Sequence, residues 1–238
     1  MMRSGHRRRP MGRRIDLLDG WRSLAVVLMM VYHFLFDAYI FGVLSDELLF
    51  SLPLALLQKF ICRSFIFLAG VSARFSRDNL RHGVTVLAAG LVVEAGAALA
   101  GQTIRWGVLM LLGTSMILYH LLGRYLQRLP GWALALGAAV LYVLTDLWTG
   151  SVRVSVKFLY PLGFPYPGFH SADYFPLLPW SFLFLLGTAA GGWALGRREK
   201  LSALRLPPAL TWPGRHSLLL YLLHQPVLYS TAWLLWGR

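Results

Sequence analysis

The sequence predicts an all-α fold: a polytopic transmembrane bundle of about seven spans with its N-terminus in the cytoplasm. Three observations carry this. The 238 residues are 57% hydrophobic and 14% charged, with a mean hydropathy of +0.57. Several apolar runs exceed about eighteen residues, the length that crosses a bilayer as a helix. Of the 23 Lys and Arg residues, most fall on the connections that share a side with the N-terminus, and few on the opposite ones. The positive-inside rule then sets the orientation. A net charge of +13 on a soluble domain would suit a nucleic acid. Spread between apolar spans it gives no such interface, so no nucleic-acid partner is expected. The single cysteine, Cys62, excludes a disulfide framework or a Cys-based metal site within one chain.

Residues 1–14 are a basic cytoplasmic tail with no apolar pattern, expected to be disordered. The run that follows is too long for the core of a signal peptide and lacks a small-residue cleavage site, so it is expected to stay as the first span. Residues 15–238 are expected to form one transmembrane domain. Spans are predicted near 17–40, 49–72, 84–101, 104–122, 132–149, 175–196 and 217–236. The outer connection 150–174 is long, and Pro161, Pro165 and Pro167 forbid a regular helix there. An ordered loop of that length is more often functional than idle. The inner connection 196–216 is basic and carries Pro207, Pro208 and Pro213. Gly187–Gly191 and Gly192–Gly196 are small-xxx-small spacings that suit close helix packing.

The first span, IDLLDGWRSLAVVLMMVYHFLFD, carries most of the chemistry. From Arg22 to His33 is about three turns plus 20°, so the two side chains share a face about 16 Å apart along the axis. Asp37 lies one further turn along it. Ionisable residues inside a span face the bundle interior and mark function by default. A carboxylate at i+4 can orient an imidazole and stabilise its charged form, the base-plus-orienter logic of acyl transfer. His33 and Asp37 are therefore the candidate catalytic pair. Arg22 either pairs with Asp19 at i−3 or offers its fork of donors to a phosphate at the cytoplasmic mouth. The spacing matches the reach of a phosphopantetheine arm, so a coenzyme A thioester could lie beside His33 while its nucleotide stays at the inner surface.

Elsewhere, Lys59 and Arg63 in the second span match Glu94 in the third in depth, which suits a buried ion pair or a substrate contact. Arg105 sits at the outer end of the fourth span. His170 and Asp173 lie in the outer connection and are too few for a metal site. In WPGRHSLLLYLLHQPVL, Pro226 frees the carbonyl of Leu222, and His224 and Gln225 lie beside that defect, where a broken helix can line a cavity. Arg215 and His216 open the same span and either hold phosphate or only add positive charge. There is no Walker loop, Rossmann fingerprint or H-E-x-x-H motif, which leaves ATPase, dehydrogenase and zinc-protease readings without support.

RRIDLLDGWRSLAVVLMMVYHFLFD resembles the opening span of the heparan-α-glucosaminide N-acetyltransferase catalytic-domain family in its short bacterial form. RSFIFLAGVSARFS, IRWGVLMLLGTSMIL, DYFPLLPW and GRHSLLLYLLHQPVL agree with it in the expected order over nearly the whole chain. The Arg22–His33 spacing is also similar to that of membrane O-acetyltransferases that decorate surface polysaccharides. The resemblance implies a multi-pass protein of the cell (inner) membrane that transfers acetyl from cytoplasmic acetyl-CoA to a sugar or amino sugar outside, free or lipid-linked. It implies Arg22 at the CoA and His33 as the catalytic histidine. Arg63, Asp173, Arg215, His216 and His224 occupy motif positions to which the resemblance gives no individual role. Arg215 and His216 are taken as cofactor-side candidates and Arg63, Asp173 and His224 as acceptor-side candidates, with no metal expected. Membrane lipids, acyl-CoA and the glycan acceptor are the expected partners, and a homo-oligomer is left open. Two departures stand out. The arginine is usually followed by glycine, whereas here it precedes Ser23. Animal lysosomal members carry asparagine at the position of His33 and a histidine in the next loop, but this chain has no histidine between Phe34 and Arg81. Their heparan sulfate substrate is accordingly not carried over. The alternative from another class is a small transporter or flippase for an anionic or lipid-linked solute, which would also place ionisable groups in the spans.

Overall fold

The computed structural model describes residues 14–152 and 154–237. The tail expected over 1–14 lies outside the described residues except for Arg14. Seven helices are long and apolar enough to cross a membrane: α1 (Asp16–Ile40), α3 (Leu52–Phe75), α4 (Asn79–Leu99), α5 (Val108–Leu126), α6 (Gly131–Ser151), α7 (Leu177–Gly196) and α10 (Ser217–Trp236). Three short helices join them: α2 (Asp46–Leu49), α8 (Arg198–Ala203) and α9 (Pro208–Arg215). A 3-10 turn covers Lys157–Leu162 and contains Pro161, in keeping with the expected absence of a regular helix there. No strand occurs among the described residues. The protein is a multi-pass, all-helical membrane protein, as predicted.

Boundaries moved where polar residues belong to helices. α4 begins at Asn79, five residues before the predicted start. Asp78 caps it, its side chain accepting the Arg81 N–H at 2.9 Å. Hydropathy discounts the turn NLRHG, but a cap makes it helical. α5 begins at Val108, four residues late, because residues 103–107 are not helical and are bonded to the long connection. Ala172 N–H donates to Thr103 O and Phe175 N–H to Trp106 O, both at 2.9 Å.

The centre of the bundle is where α3, α5 and α7 meet around Ile66, Leu111, Leu112, Tyr119 and Phe184. α3 and α7 approach backbone to backbone. A Cβ on Gly70 would lie 2.0 Å from Phe184 O, and one on Gly187 would lie 2.1 Å from Phe67 O. Only glycine allows that contact, so the small-residue spacing in the sixth span is a packing seam. α4 lies against α5 and α6 against α7, while α1 packs on α3. α10 packs chiefly on α1, and α9 lies across the start of α1. α9 and then α10 therefore follow α1, meeting Asp16, Asp19 and Ser23 near its start and His33 and Asp37 farther on.

Candidate functional site

α1 opens with Asp16 and Asp19, placed where the helix dipole favours negative charge. Continuing along the helix, Asp16, Asp19, Ser23, His33 and Asp37 fall on one heptad-like stripe of alternating three- and four-residue steps. Each of them meets α9 or α10.

At the N-terminal end of the stripe the contacts form a clasp. Arg215 NH2 donates to Asp16 Oδ1 at 3.0 Å and its Nε donates to Asp19 Oδ2 at 3.1 Å. Leu206 N–H donates to Asp16 Oδ2 at 3.4 Å, and Arg205 NH1 lies 3.6 Å from the same oxygen. Arg22 NH1 donates to Asp19 Oδ1 at 3.1 Å, while its NH2 crosses to Ser72 Oγ on α3 at 2.6 Å. Both carboxylates are buried, at 3% and 8% exposure. Ser23 donates its hydroxyl to Asp19 O at 3.0 Å and accepts the Gly214 N–H at 2.7 Å. α9 rests on the α1 backbone at that point, since a Cβ on Gly214 would lie 2.0 Å from Asp19 O.

About three turns along, α1 meets α10 at two rungs. The His33 and His224 rings lie 4.7 Å apart between centroids. One turn on, Gln225 Nε2 donates to Asp37 Oδ1 at 2.8 Å. His224 Nδ1 is 2.6 Å from Tyr221 O. A carbonyl oxygen only accepts, so Nδ1 carries the proton and Nε2 of the neutral ring carries the lone pair. Asp37 is fully buried and His224 is 7% exposed. Even so, Asp37 Oδ2, His224 Nε2 and Gln225 Oε1 have no partner among the described residues. Buried polar atoms are nearly always hydrogen-bonded, so three open ones on adjacent rungs point to a place where something else binds.

At the opposite end, two carboxylates cap the start of α5. Asp173 Oδ2 accepts the Val108 N–H at 3.1 Å and Glu94 Oε1 accepts the Trp106 N–H at 2.7 Å. Trp106 is held at φ +60°. Ser171 accepts the Arg105 N–H at 2.9 Å and donates to Asp173 O at 2.6 Å. Burial raises the Asp173 carboxyl to about 6; the Val108 bond opposes this and Glu94 adds to it. Asp173, Glu94 and Tyr221 of α10 line a small common cavity.

The structure therefore brings Arg22 and Arg215 together through Asp19, and His33, Asp37 and His224 together with Gln225. It leaves three candidates apart. Asp173 caps α5 at the loop end. His216 is exposed, with its ring 4.6 Å from Trp212 and Nδ1 2.9 Å from Trp212 O. Arg63 is exposed on α3.

Three expectations are corrected. His33 and Asp37 make no hydrogen bond with each other among the described residues. Both reach across to α10, where Gln225 supplies the donor that Asp37 takes. The ion pair expected between Lys59 or Arg63 and Glu94 is not formed, because α3 packs on α1 and α7 while α4 packs on α5, and Glu94 serves Trp106. The last span is not broken: α10 runs helical through Pro226. The sequence reading did not include Gln225 among its site residues, although it follows His224 directly. It had no signal for Ser72, whose partner is 50 residues away. No three His, Cys, Asp or Glu side chains gather as a metal site among the described residues.

The family model described as heparan-alpha-glucosaminide N-acetyltransferase, catalytic, matches residues 14–226. The chain belongs to this family. The matched stretch includes the whole clasp and both α1–α10 rungs, and it makes this multi-pass protein a member of an acetyltransferase family. Comparison with curated proteins and with solved structures found no match.

Proposed function

We propose that this member of the N-acetyltransferase family takes an acetyl group from acetyl-CoA at the cytoplasmic face of the cell (inner) membrane. It passes the group to a hydroxyl or amine of a sugar or amino sugar, free or lipid-linked, on the opposite side. The observation that carries the reading is the shared stripe of α1. Beside its start is the Arg22 guanidinium, bonded to Asp19, and about 16 Å farther along His33 meets His224 of α10 at rungs that hold three unpartnered acceptors.

Arg22 uses two of its five N–H bonds, on Asp19 and Ser72, which leaves three for a phosphate of the donor. Arg215 is held by two carboxylates with its side chain 33% exposed, and it borders the same mouth. His216 adds a donor at its rim. His33 meets the thioester, either as general base or by carrying the acetyl group. Asp37 acts by fixing Gln225, and so α10, against the site. Arg63, Asp173 and His224 are assigned to the acceptor's side. His224 stands in the site itself, whereas Asp173 shapes the loop above it.

The test is a thermal-shift titration of the purified protein with CoA, acetyl-CoA and longer acyl-CoAs, together with CoA release from acetyl-CoA. A donor at about 100 times its Kd should stabilise the fold by about 2.7 kcal/mol. Arg22→Ala should raise the acetyl-CoA KM. Solute flux without acetyl-CoA consumption, with no stabilisation by any CoA species, would replace this reading with the transporter alternative.

A further inference from the structure

The proposed function places His224 on the acceptor's side and leaves its chemical role there open. His224 is buried, its Nδ1–H is committed to Tyr221 O, and its Nε2 lone pair is open beside the ring of His33. The two other open atoms at these rungs, Asp37 Oδ2 and Gln225 Oε1, are also acceptors. A site lined by unfilled acceptors lacks donors, and a neutral thioester brings none to the reacting carbon. A hydroxyl or amine about to be acetylated brings an X–H bond. Of the three acceptors, an imidazole nitrogen is the one whose basicity suits taking that proton near neutral pH.

We propose that His224 is a second catalytic residue, the base that takes the acceptor's proton at Nε2, and that His33 carries the acetyl group. The inference rests on the acetyltransferase reading. In the first step a ring nitrogen of His33 attacks the thioester carbon. The C–S bond breaks, and its electron pair leaves on sulfur as the CoA thiolate, which gives an acetyl-imidazolium. In the second step the acceptor's oxygen or nitrogen attacks the acetyl carbon. Its X–H proton passes to His224 Nε2, and the C–N bond breaks with its electron pair returning to His33. The departed thiolate takes a proton from solvent and becomes CoA thiol, and the His224 imidazolium releases its proton to solvent, which restores both rings. Fixing the tautomer through Tyr221 gives His224 one role in both directions. His33 makes no such bond among the described residues, so no tautomer is fixed there.

The experiment separates the two steps. Exchange of labelled CoA into acetyl-CoA, run without acceptor, reads the first. Acetyl transfer to water, to glucosamine as an amine probe and to methyl glucoside as a hydroxyl probe reads the second. His224→Asn keeps a donor where Nδ1 stands and removes Nε2. It should keep exchange within a few-fold of wild type and lose transfer by about 10²- to 10⁴-fold. His33→Gln should lose both. His224→Ala should regain part of the transfer when imidazole is added, which a purely structural role would not give. A retained acetyl-CoA thermal shift in these variants shows that the donor site is intact. Equal transfer by His224→Asn and wild type overturns the inference, as does loss of exchange in step with transfer. A wild type that transfers acetyl with no exchange overturns it and leaves the proposed function standing. A wild type with neither activity overturns both.

Discussion

The two ends of the α1 stripe meet the successive helices α9 and α10 and are built from the same kinds of residue, yet they differ in one respect. At the start, both oxygens of Asp16 and both of Asp19 are engaged, and Ser23 both donates and accepts. At the α10 rungs, Asp37 has one oxygen bonded and one open, and His224 and Gln225 each keep an open acceptor. A closed polar network rigidifies, while an open one costs stability unless a ligand completes it. The first region therefore reads as a fastening and the second as a site, although both appear in the sequence simply as charged residues in an apolar helix.

The sharpest way to break this contrast is to remove the central residue of each region. His33→Ala should lower acetyl-CoA-dependent turnover by about 10²- to 10⁴-fold, with the unfolding midpoint in detergent nearly unchanged. Asp19→Ala should do the reverse to stability. It leaves Arg22 and Arg215 facing each other, and loss of one partner from a fully buried pair costs about 3–5 kcal/mol. With Arg215 a third exposed, about 1–3 kcal/mol is expected. If His33→Ala unfolds as readily as Asp19→Ala, the two regions are alike and the distinction is lost.

A smaller effect sharpens the account of the clasp. A methyl at Gly214 would meet Asp19 O at 2.0 Å and Ser23 N at 2.9 Å, both backbone atoms that cannot rotate away. Gly214→Ala should lift α9 off α1 and cost about 1–3 kcal/mol, as overpacking does. Because it disturbs the contact that Asp19 secures, the double variant with Asp19→Ala should cost less than the two separately. Full additivity in denaturation midpoints would mean that the two act on different structures.

These contrasts also mark what the sequence could reveal. All seven spans were legible, because a run of apolar residues long enough for a bilayer has few other uses. The family was legible from its motif order, and the matched model agrees with it. α8 and α9 were not, since residues 197–216 read as a basic, proline-rich connection. What makes them ordered is Arg215 reaching back almost 200 positions to Asp16, which no local pattern encodes. His33 and Asp37 were legible as a pair on one face. Their helical spacing suggested that they bond to each other, whereas α10 brought Gln225 closer in function to Asp37 than its own helix neighbour. Likewise, matched depth put Glu94 opposite Lys59 and Arg63. Depth does not say which helices are neighbours, and α3 and α4 are not a packed pair.

The loop end offers a third case, in which a carboxylate is bonded yet carries its charge at a cost. Asp173 caps α5 through Val108, where the helix dipole should favour the anion. Burial outweighs that bond, and with Glu94 nearby the group titrates at about 6 against an ordinary value of 3.8. Between these values the folded protein holds a proton that the unfolded chain has released. Stability from this group is therefore present at low pH and is lost as pH rises through about 6. Asp173→Asn keeps an oxygen for the Val108 N–H and removes the titration. The difference in unfolding midpoint between wild type and Asp173→Asn should thus move in the variant's favour from pH 4 to pH 6 and level off above. A difference that stays constant over that range would mean the carboxylate is as well served as Asp16 and Asp19, placing the loop end with the clasp. A drift in the predicted direction makes the loop end a fastening that tightens with acid, a third kind of region beside the clasp and the open rungs.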